Sequence, residues 1–271
     1  MKIGVDLGGT KIRAGLIDSD NKVVKSLTES CRSEGSVEDV VGQIVSLVSK
    51  FFDSSIELIG VGVPAIVDSE GVVYDCVNIP SWHRVELKAM LEAHFGVPVK
   101  VNNDCNCFAL GVSASELARG YKDLVCMTLG TGVGAGVIFN GQLYTGRNSG
   151  AGEIGGIQYN GSDYESWCSS QFFTAKGTSG KAAFADAEAG NPEALQLWDE
   201  FGSHVGELVK MCLFAYDPEA VVIGGSISNA FKYFEKSLRR TVSSFPYSNV
   251  AESLAILSDP SGDFMMVGAV V

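Results

Sequence analysis

No cluster of lysine or arginine interrupts this sequence, and its 32 acidic residues outnumber 20 basic ones, for a net charge of −12. A nucleic-acid partner wants a basic face, so that class of function is set aside. Nowhere do about 18 apolar residues run together, so no membrane-spanning helix is expected. The opening MKIGVDLGG lacks the charged, apolar and small-residue regions of a secretory signal, and the expected location is the cytoplasm. The seven cysteines are an odd number, and Cys126 in DLVCMTL and Cys212 in VKMCLF keep apolar company, as reduced core cysteines do. Cys105 and Cys107 stand two apart, which on a helix gives them different faces and excludes a metal pair. Two nucleotide signatures are missing as well. There is no G-x-x-x-x-G-K-[ST] loop, and the first glycine turn opens a strand rather than a helix, which excludes the dinucleotide fingerprint.

What remains is the composition of a globular protein, 46% hydrophobic over 271 residues. That length buries roughly three quarters of the unfolded surface in one large domain or two modest ones. Residues 2–7, 12–18 and 22–29 predict three consecutive strands. Apolar residues at helical spacing follow, with Ser36 placed to cap them. ELIGVGVP predicts a buried strand ended by Pro64, and the second half of NIPSWHRVELKAMLEAHFG a helix stopped by Gly96. VPVKVNN reads as a strand and DCNCFALGVSASELARG as a helix. Residues 145–180, rich in Gly, Ser and Asn, read as a long irregular segment without a clear strand. A long helix is expected from Asn191 as cap and Pro192 at its first position up to Pro218, with Gly202 and Gly206 marking close packing against a neighbour. EAVVIGGSIS, NAFKYFEKSLRRTV and AILSD then predict strand, helix and strand.

One pattern occurs twice. GVDLGGTKIRAGLIDSDNKV and DLVCMTLGTGVGAGVIFNGQL each run apolar strand, Gly/Thr turn, apolar strand. Such a repeat suits two related domains of an α/β protein. A third apolar strand ends in Gly224-Gly225-Ser226. Each turn on its own is good hairpin or loop chemistry. Together they suit a phosphate cradle, because glycines let backbone N–H groups approach an anion and Thr10 and Thr131 add hydroxyls. Asp6, beside the first turn, either bonds its own backbone or holds Mg²⁺ through water. Asp104 stands where a strand meets a helix. It is either an ordinary N-cap or a general base placed where open α/β sheets put their chemistry.

The segments DLGGTKIRAGLID (6–18), GVGVPAIVDSEG (60–71), NIPSW (78–82), VNNDCNCFALG (101–111), LGTGVGAGVIFNGQLYTGRNSGAGEIGG (129–156) and VIGGSIS (222–228) together resemble the ROK sugar kinases of the actin-like ATPase superfamily. The resemblance implies two actin-like ATPase (ribonuclease H-like) α/β domains, expected at 1–110 and 111–271, with a cleft between them and the last residues packing back toward the first. It implies an ATP- and Mg²⁺-dependent kinase acting on a sugar hydroxyl, with Asp104 as catalytic base. Asn78, Asn103, Asp104 and Glu153 match sugar contacts. Gly8, Gly9, Thr10, Lys11, Gly130, Thr131 and Gly132 match the phosphate turns, Gly224 and Gly225 the nucleotide side, and Asp6 the residue near the metal. Read from the residues alone, Glu153 is equally a solvated loop carboxylate, and Trp82 either stacks on a sugar or packs under its loop.

The pattern also breaks. Many members follow the EIG triplet with histidine and a cysteine cluster that binds Zn²⁺; here Gly156 takes the histidine position and Cys168 is the one nearby cysteine. A structural zinc needs four ligands, so none is expected. Glu165 matches a glutamate that touches sugar in relatives, across a shortened segment. The missing histidine, with Ala65 where glycine is common, leaves the sugar open among glucose, fructose, mannose and their N-acetylamino relatives. Family repressors carry a DNA-binding module before the first glycine turn; Asp6 comes at once here, so that module is not expected. GAVV stands where relatives continue a helix across the domain junction, so closure is expected to differ. The rival reading is a catalytically weak sugar-binding or regulatory protein on the same fold. The oligomeric state is left open, a homodimer included.

Overall fold

Along the opening strand Ile3, Val5 and Leu7 are fully buried, and strand alternation turns Gly4 and Asp6 to the other face. In the computed structural model, which describes residues 1–271, this strand is β1 (Lys2–Leu7). It pairs antiparallel with β2 (Lys11–Ile17), and β2 likewise with β3 (Val23–Ser30). Helix α1 (Val37–Ser49) begins with a capping box, Ser36 and Asp39 each bonding the other's backbone N–H. Strand β4 (Leu58–Val63) then lies parallel to β1. A small sheet of β5 (Ile66–Val67), β6 (Val73–Tyr74) and β7 (Arg84–Val85) frames the loop that carries Asn78. Helix α2 (Leu87–Phe95) ends at Gly96 in the left-handed region, and β8 (Val99–Asn103) completes a sheet of order β3-β2-β1-β4-β8.

Helix α3 (Asp104–Ser113) leads to a second sheet of the same plan. Strands β9 (Leu124–Leu129), β10 (Val133–Phe139) and β11 (Gln142–Tyr144) are successive antiparallel neighbours, Asn140 and Gly141 turning the last pair at positive φ. The short hairpin β12 (Gln158–Tyr159) and β13 (Ser162–Asp163) precedes α4 (Tyr164–Cys168), α5 (Ser170–Ala175) and α6 (Gly180–Glu188). Asn191 caps the long α7 (Pro192–Tyr216), and β14 (Ala220–Gly224) runs parallel to β9. Helices α8 (Phe231–Val242) and α9 (Ser248–Ser253), strand β15 (Ala255–Ser258) and α10 (Phe264–Ala269) finish the chain. The second order is β11-β10-β9-β14-β15, strand for strand the directions of the first. This duplicated α/β plan is the two-domain actin-like ATPase fold.

The outer face of the first sheet is packed by α1. That of the second is packed by α7 and α8 around Trp198, Phe201 and Phe234, with Gly202 and Gly206 where α8 comes closest. On the inner faces two helices are exchanged. Helix α3 springs from the first sheet, yet its Phe108, Ala109 and Val112 pack on Leu124, Cys126 and Ile138 of the second. Helix α10 springs from the second, yet its Met266 and Val267 pack with Ile17 of the first. The two cross backbone against backbone. A Cβ on Gly268 would fall on the Cys107 carbonyl oxygen, and one on Gly111 on that of Phe264. Gly4 and Gly60 leave α10 the same room on β1 and β4. Arg13 pins the junction, its Nη2 lying 2.6 Å from Asp263 Oδ1.

Two local expectations are corrected. The helix after β8 stops at Ser113 instead of running on to Gly120. Ser115 takes the Val112 carbonyl and the Leu117 N–H for its hydroxyl, opening a separate single turn. The segment 145–180 is irregular only at its start. Asn160-Gly161 at positive φ turns the β12–β13 hairpin, and Asp163 and Ser169 cap α4 and α5. Two-residue strands and five-residue helices are too short to carry a period in the sequence. Helices α6, α9 and α10 were not anticipated.

Candidate active site

Both Gly/Thr turns lie at one end of their sheets and face each other. Gly9, Thr10 and Thr131 line one cleft of about 290 Å³, together with Asn78, Ser33, Glu34, Val77 and Pro80. Each turn is closed by a single internal bond, Gly8 N–H to Lys11 O at 2.8 Å and Gly130 N–H to Gly132 O at 3.0 Å. The N–H groups of Gly9, Thr10, Thr131 and Gly132 have no partner within the chain, nor do the hydroxyls of Thr10 and Thr131. Unpartnered amides on turns beside an open cleft have the chemistry to bind an anion. Lys11 is exposed at the start of β2, outside the cleft lining. The third turn abuts the second: Gly225, at φ 84°, leaves no room for a Cβ against the Leu129 carbonyl oxygen.

Four carboxylates form an electrostatically coupled series from the first turn to the second: Asp6 feels Asp104, Asp104 feels Glu153, and Glu153 feels Glu165. The N-cap of α3 is Asn103, whose side-chain oxygen accepts the Asn106 N–H at 3.1 Å. Asp104 is the first helical residue, so capping does not consume it. One of its oxygens accepts the Cys105 N–H at 2.8 Å, and the residue keeps part of its surface open. Burial pushes the Asp104 carboxyl up to about 6; that bond holds it back, and the charge of Glu153 adds to the rise. Asp6, at the end of β1, is pushed up to about 7 by burial and by Asp104, against the pull of Arg13. Glu153 is raised by partial burial and by Glu165. Glu165 Oε2 accepts the Val133 N–H at 3.0 Å, directly after the second turn, and Gln171 donates to Oε1.

The acceptor side is built from loops. Asn78 packs under Gly9, so the first turn and the β6–β7 loop hold one another. Asn103 also donates to the Ala65 carbonyl at 3.3 Å. Trp82 is 1% exposed, so it packs under its loop and does not stack on a ligand. Nothing stands within 4 Å of a Cβ placed on Gly156. Sequence reasoning missed Arg13, Ser33 and Glu34. The hairpin register pairs Arg13 with Asp6 and so held the signal for the first. The other two are brought to the cleft by a bond from Cys31 N–H to the Thr10 carbonyl that no motif announces.

No group of three or more His, Cys, Asp or Glu side chains comes together to hold a metal ion within protein ligands alone. Magnesium does not ask for that. It keeps several waters and is held by one or two carboxylates and the substrate's phosphates. Asp6, a buried carboxylate beside a second one, fits that demand. A four-ligand zinc site has no donor set around Cys168, which is buried in the second core. No helix is long and apolar enough to cross a membrane.

Facing glycine turns across two duplicated halves, with a carboxylate at a strand–helix junction between them, define a protein of the actin-like ATPase class. The ROK family profile matches residues 2–172 and 164–270. A glucokinase of Thermotoga maritima is 30% identical over 95% of this chain and 92% of its own. An N-acetyl-D-glucosamine kinase of Pasteurella multocida is 28% identical over 89% of each. Among solved structures, a ROK family glucokinase from Streptomyces griseus in complex with glucose and AMPPNP superposes with a TM-score of 0.85 at 27% identity, over 99% of this chain and 97% of that one. The chain belongs to the ROK family.

Proposed function

We propose that this ROK-family carbohydrate kinase transfers the γ-phosphoryl group of ATP to a hydroxyl of a hexose or N-acetylhexosamine, with Asp104 as general base. The observation that carries this is the pair of Gly/Thr turns that meet at one cleft with unpartnered N–H groups, and an Asp104 carboxyl coupled to Asp6 beside the first turn and to Glu153. Gly8, Gly9 and Thr10 on one side and Gly130, Thr131 and Gly132 on the other hold the phosphates, with Lys11 contributing only its charge from outside the cleft lining, and Gly224 and Gly225 border the nucleoside. Asn78, Asn103 and Glu153 bind the sugar. Glu165 has two acceptor positions in use and two left for a sugar hydroxyl. The working units are residues 1–110 and 111–271.

Asp104 takes the proton from the acceptor hydroxyl. A base near pH 6 is ionised at neutral pH and still basic enough to help. The freed oxygen attacks the γ-phosphorus in line, and ADP leaves. Turn amides stabilise the charge that gathers on the phosphoryl oxygens. Asp6 would hold magnesium through water, and the ion would supply positive charge to offset that of the phosphates; zinc is not proposed. Closure of the two halves keeps water from taking the phosphoryl group.

The named relatives put glucose and N-acetylglucosamine first among candidate acceptors. The open space at Gly156 leaves room for a substituent beside the sugar. ADP release measured over a panel of hexoses and N-acetylhexosamines tests the reading. Turnover with one or a few of them is expected. Mg·ATP binding without sugar-dependent ADP release from any of them would sink it.

A further inference from the structure

The segment that follows the acceptor loop reaches the second turn at two points. Glu165 on α4 takes the Val133 N–H, and the Ser170 N–H at the start of α5 donates to the Gly130 carbonyl at 2.8 Å. Nothing in α4, five residues long, holds it in place by itself. Its Cys168 is buried in the second core, and its other side is held by an aromatic group seated on α7. Tyr159 of the β12–β13 hairpin stacks on Tyr164, ring centroids 4.4 Å apart and 7° from parallel. The Tyr159 hydroxyl lies 3.0 Å from His204 Nδ1, and Trp167 packs on the same imidazole at 4.5 Å. Tyr164 and Trp167 flank Glu165 in the sequence, so their anchors fix its position. The His204 side chain is 13% exposed, with Nε2 turned toward Glu200 at 4.0 Å. With the ring proton on Nε2, the tyrosine hydroxyl donates to Nδ1.

We infer that His204 and Tyr159 are positioning residues of the phosphate site, bracing the second glycine turn through α4, Glu165 and Ser170. Neither side chain lines the cleft, and neither is assigned a role by the sequence motifs. The brace replaces loop flexibility with a hydrogen bond and stacked rings, so the Thr131 and Gly132 amides are held ready for an anion. The inference rests on reading that turn as a phosphate contact.

The test is amide hydrogen exchange on the ligand-free full chain, joined to steady-state kinetics. Tyr159→Phe keeps the stack and removes the hydroxyl. His204→Phe keeps an aromatic ring and removes the acceptor, whereas His204→Asn returns an acceptor near the Nδ1 position. The first two variants should speed exchange at the Val133 and Ser170 amides and leave the first turn unchanged. They should raise KM for Mg·ATP roughly three- to tenfold, the worth of one hydrogen bond, with kcat within about twofold. His204→Asn should restore both. Unchanged exchange at Val133, or a rise spread evenly through the second sheet, overturns the inference. Exchange is read without nucleotide, so an inactive parent protein would sink the kinase reading and leave the brace still decided.

Discussion

Asp104 carries the heaviest chemical demand on a single side chain, and its surroundings make that demand measurable. Asp104→Asn should lower kcat by about 10²–10⁴-fold, the usual worth of a general base, while calorimetry still detects the sugar. Wild-type turnover should fall on the acid side with an apparent pKa near 6, shared with Asp6 because the two titrate together. Glu153→Gln removes a charge that raises Asp104, so the acid limb should move to lower pH as sugar KM rises. A limb that stays put separates Glu153 from the base. Stability gives an independent check. Both aspartates have folded pKa values above the ordinary 3.8, so their contribution is greatest below that pH and is lost as pH rises through about 6 to 7. Melting curves of Asp104→Asn between pH 4 and 8 should therefore fall less steeply than the parent's (~4 units spanning that window). The sequence left Asp104 balanced between cap and base, because both occupy a strand–helix junction. Only the bond from Asn106 N–H to Asn103 shows that the cap is one residue earlier.

Turns and helices carry the next set of demands. Gly225 combines a φ of 84° with the Leu129 carbonyl where a Cβ would go, so Gly225→Ala should cost roughly 1–3 kcal/mol by urea unfolding and weaken nucleotide binding. Equal ATP affinity in that variant would detach the third turn from the nucleotide. Gly268→Ala should cost a similar amount by forcing α3 and α10 apart, with no direct contact to any ligand. The main elements were legible because each obeys a local rule: alternation in β1, the capping box of α1, the Asn191-Pro192 start of α7. What stayed hidden depends on partners distant in the sequence. Helix α10 has six residues, and its place is set by glycines on β1, β4 and α3 rather than by its own pattern. The Tyr159–His204 pair spans 45 positions and two elements, with no spacing to betray it.

Between the two sheets the only covalent crossings are the chain leading into α3 and the chain leading into α10, and these two helices cross each other. Such a junction suits a hinge. Small-angle scattering should show the radius of gyration shrinking when hexose and a non-hydrolysable ATP analogue are both bound, more than with either alone. An unchanged radius would mean the halves are already closed. Arg13→Ala should loosen the junction by breaking its pair with Asp263 and, by removing the charge that lowers Asp6, should raise the Asp6 carboxyl further and weaken nucleotide binding at neutral pH. The swapped helices also bear on how the polypeptide matures as it leaves the ribosome. Strands β1, β2 and β4 are made early, but the groove over Gly4 and Gly60 stays bare until α10, far downstream in the chain, has emerged. The early half is therefore an unfinished intermediate, and a nascent chain stalled before Phe264 should attract chaperones and proteases.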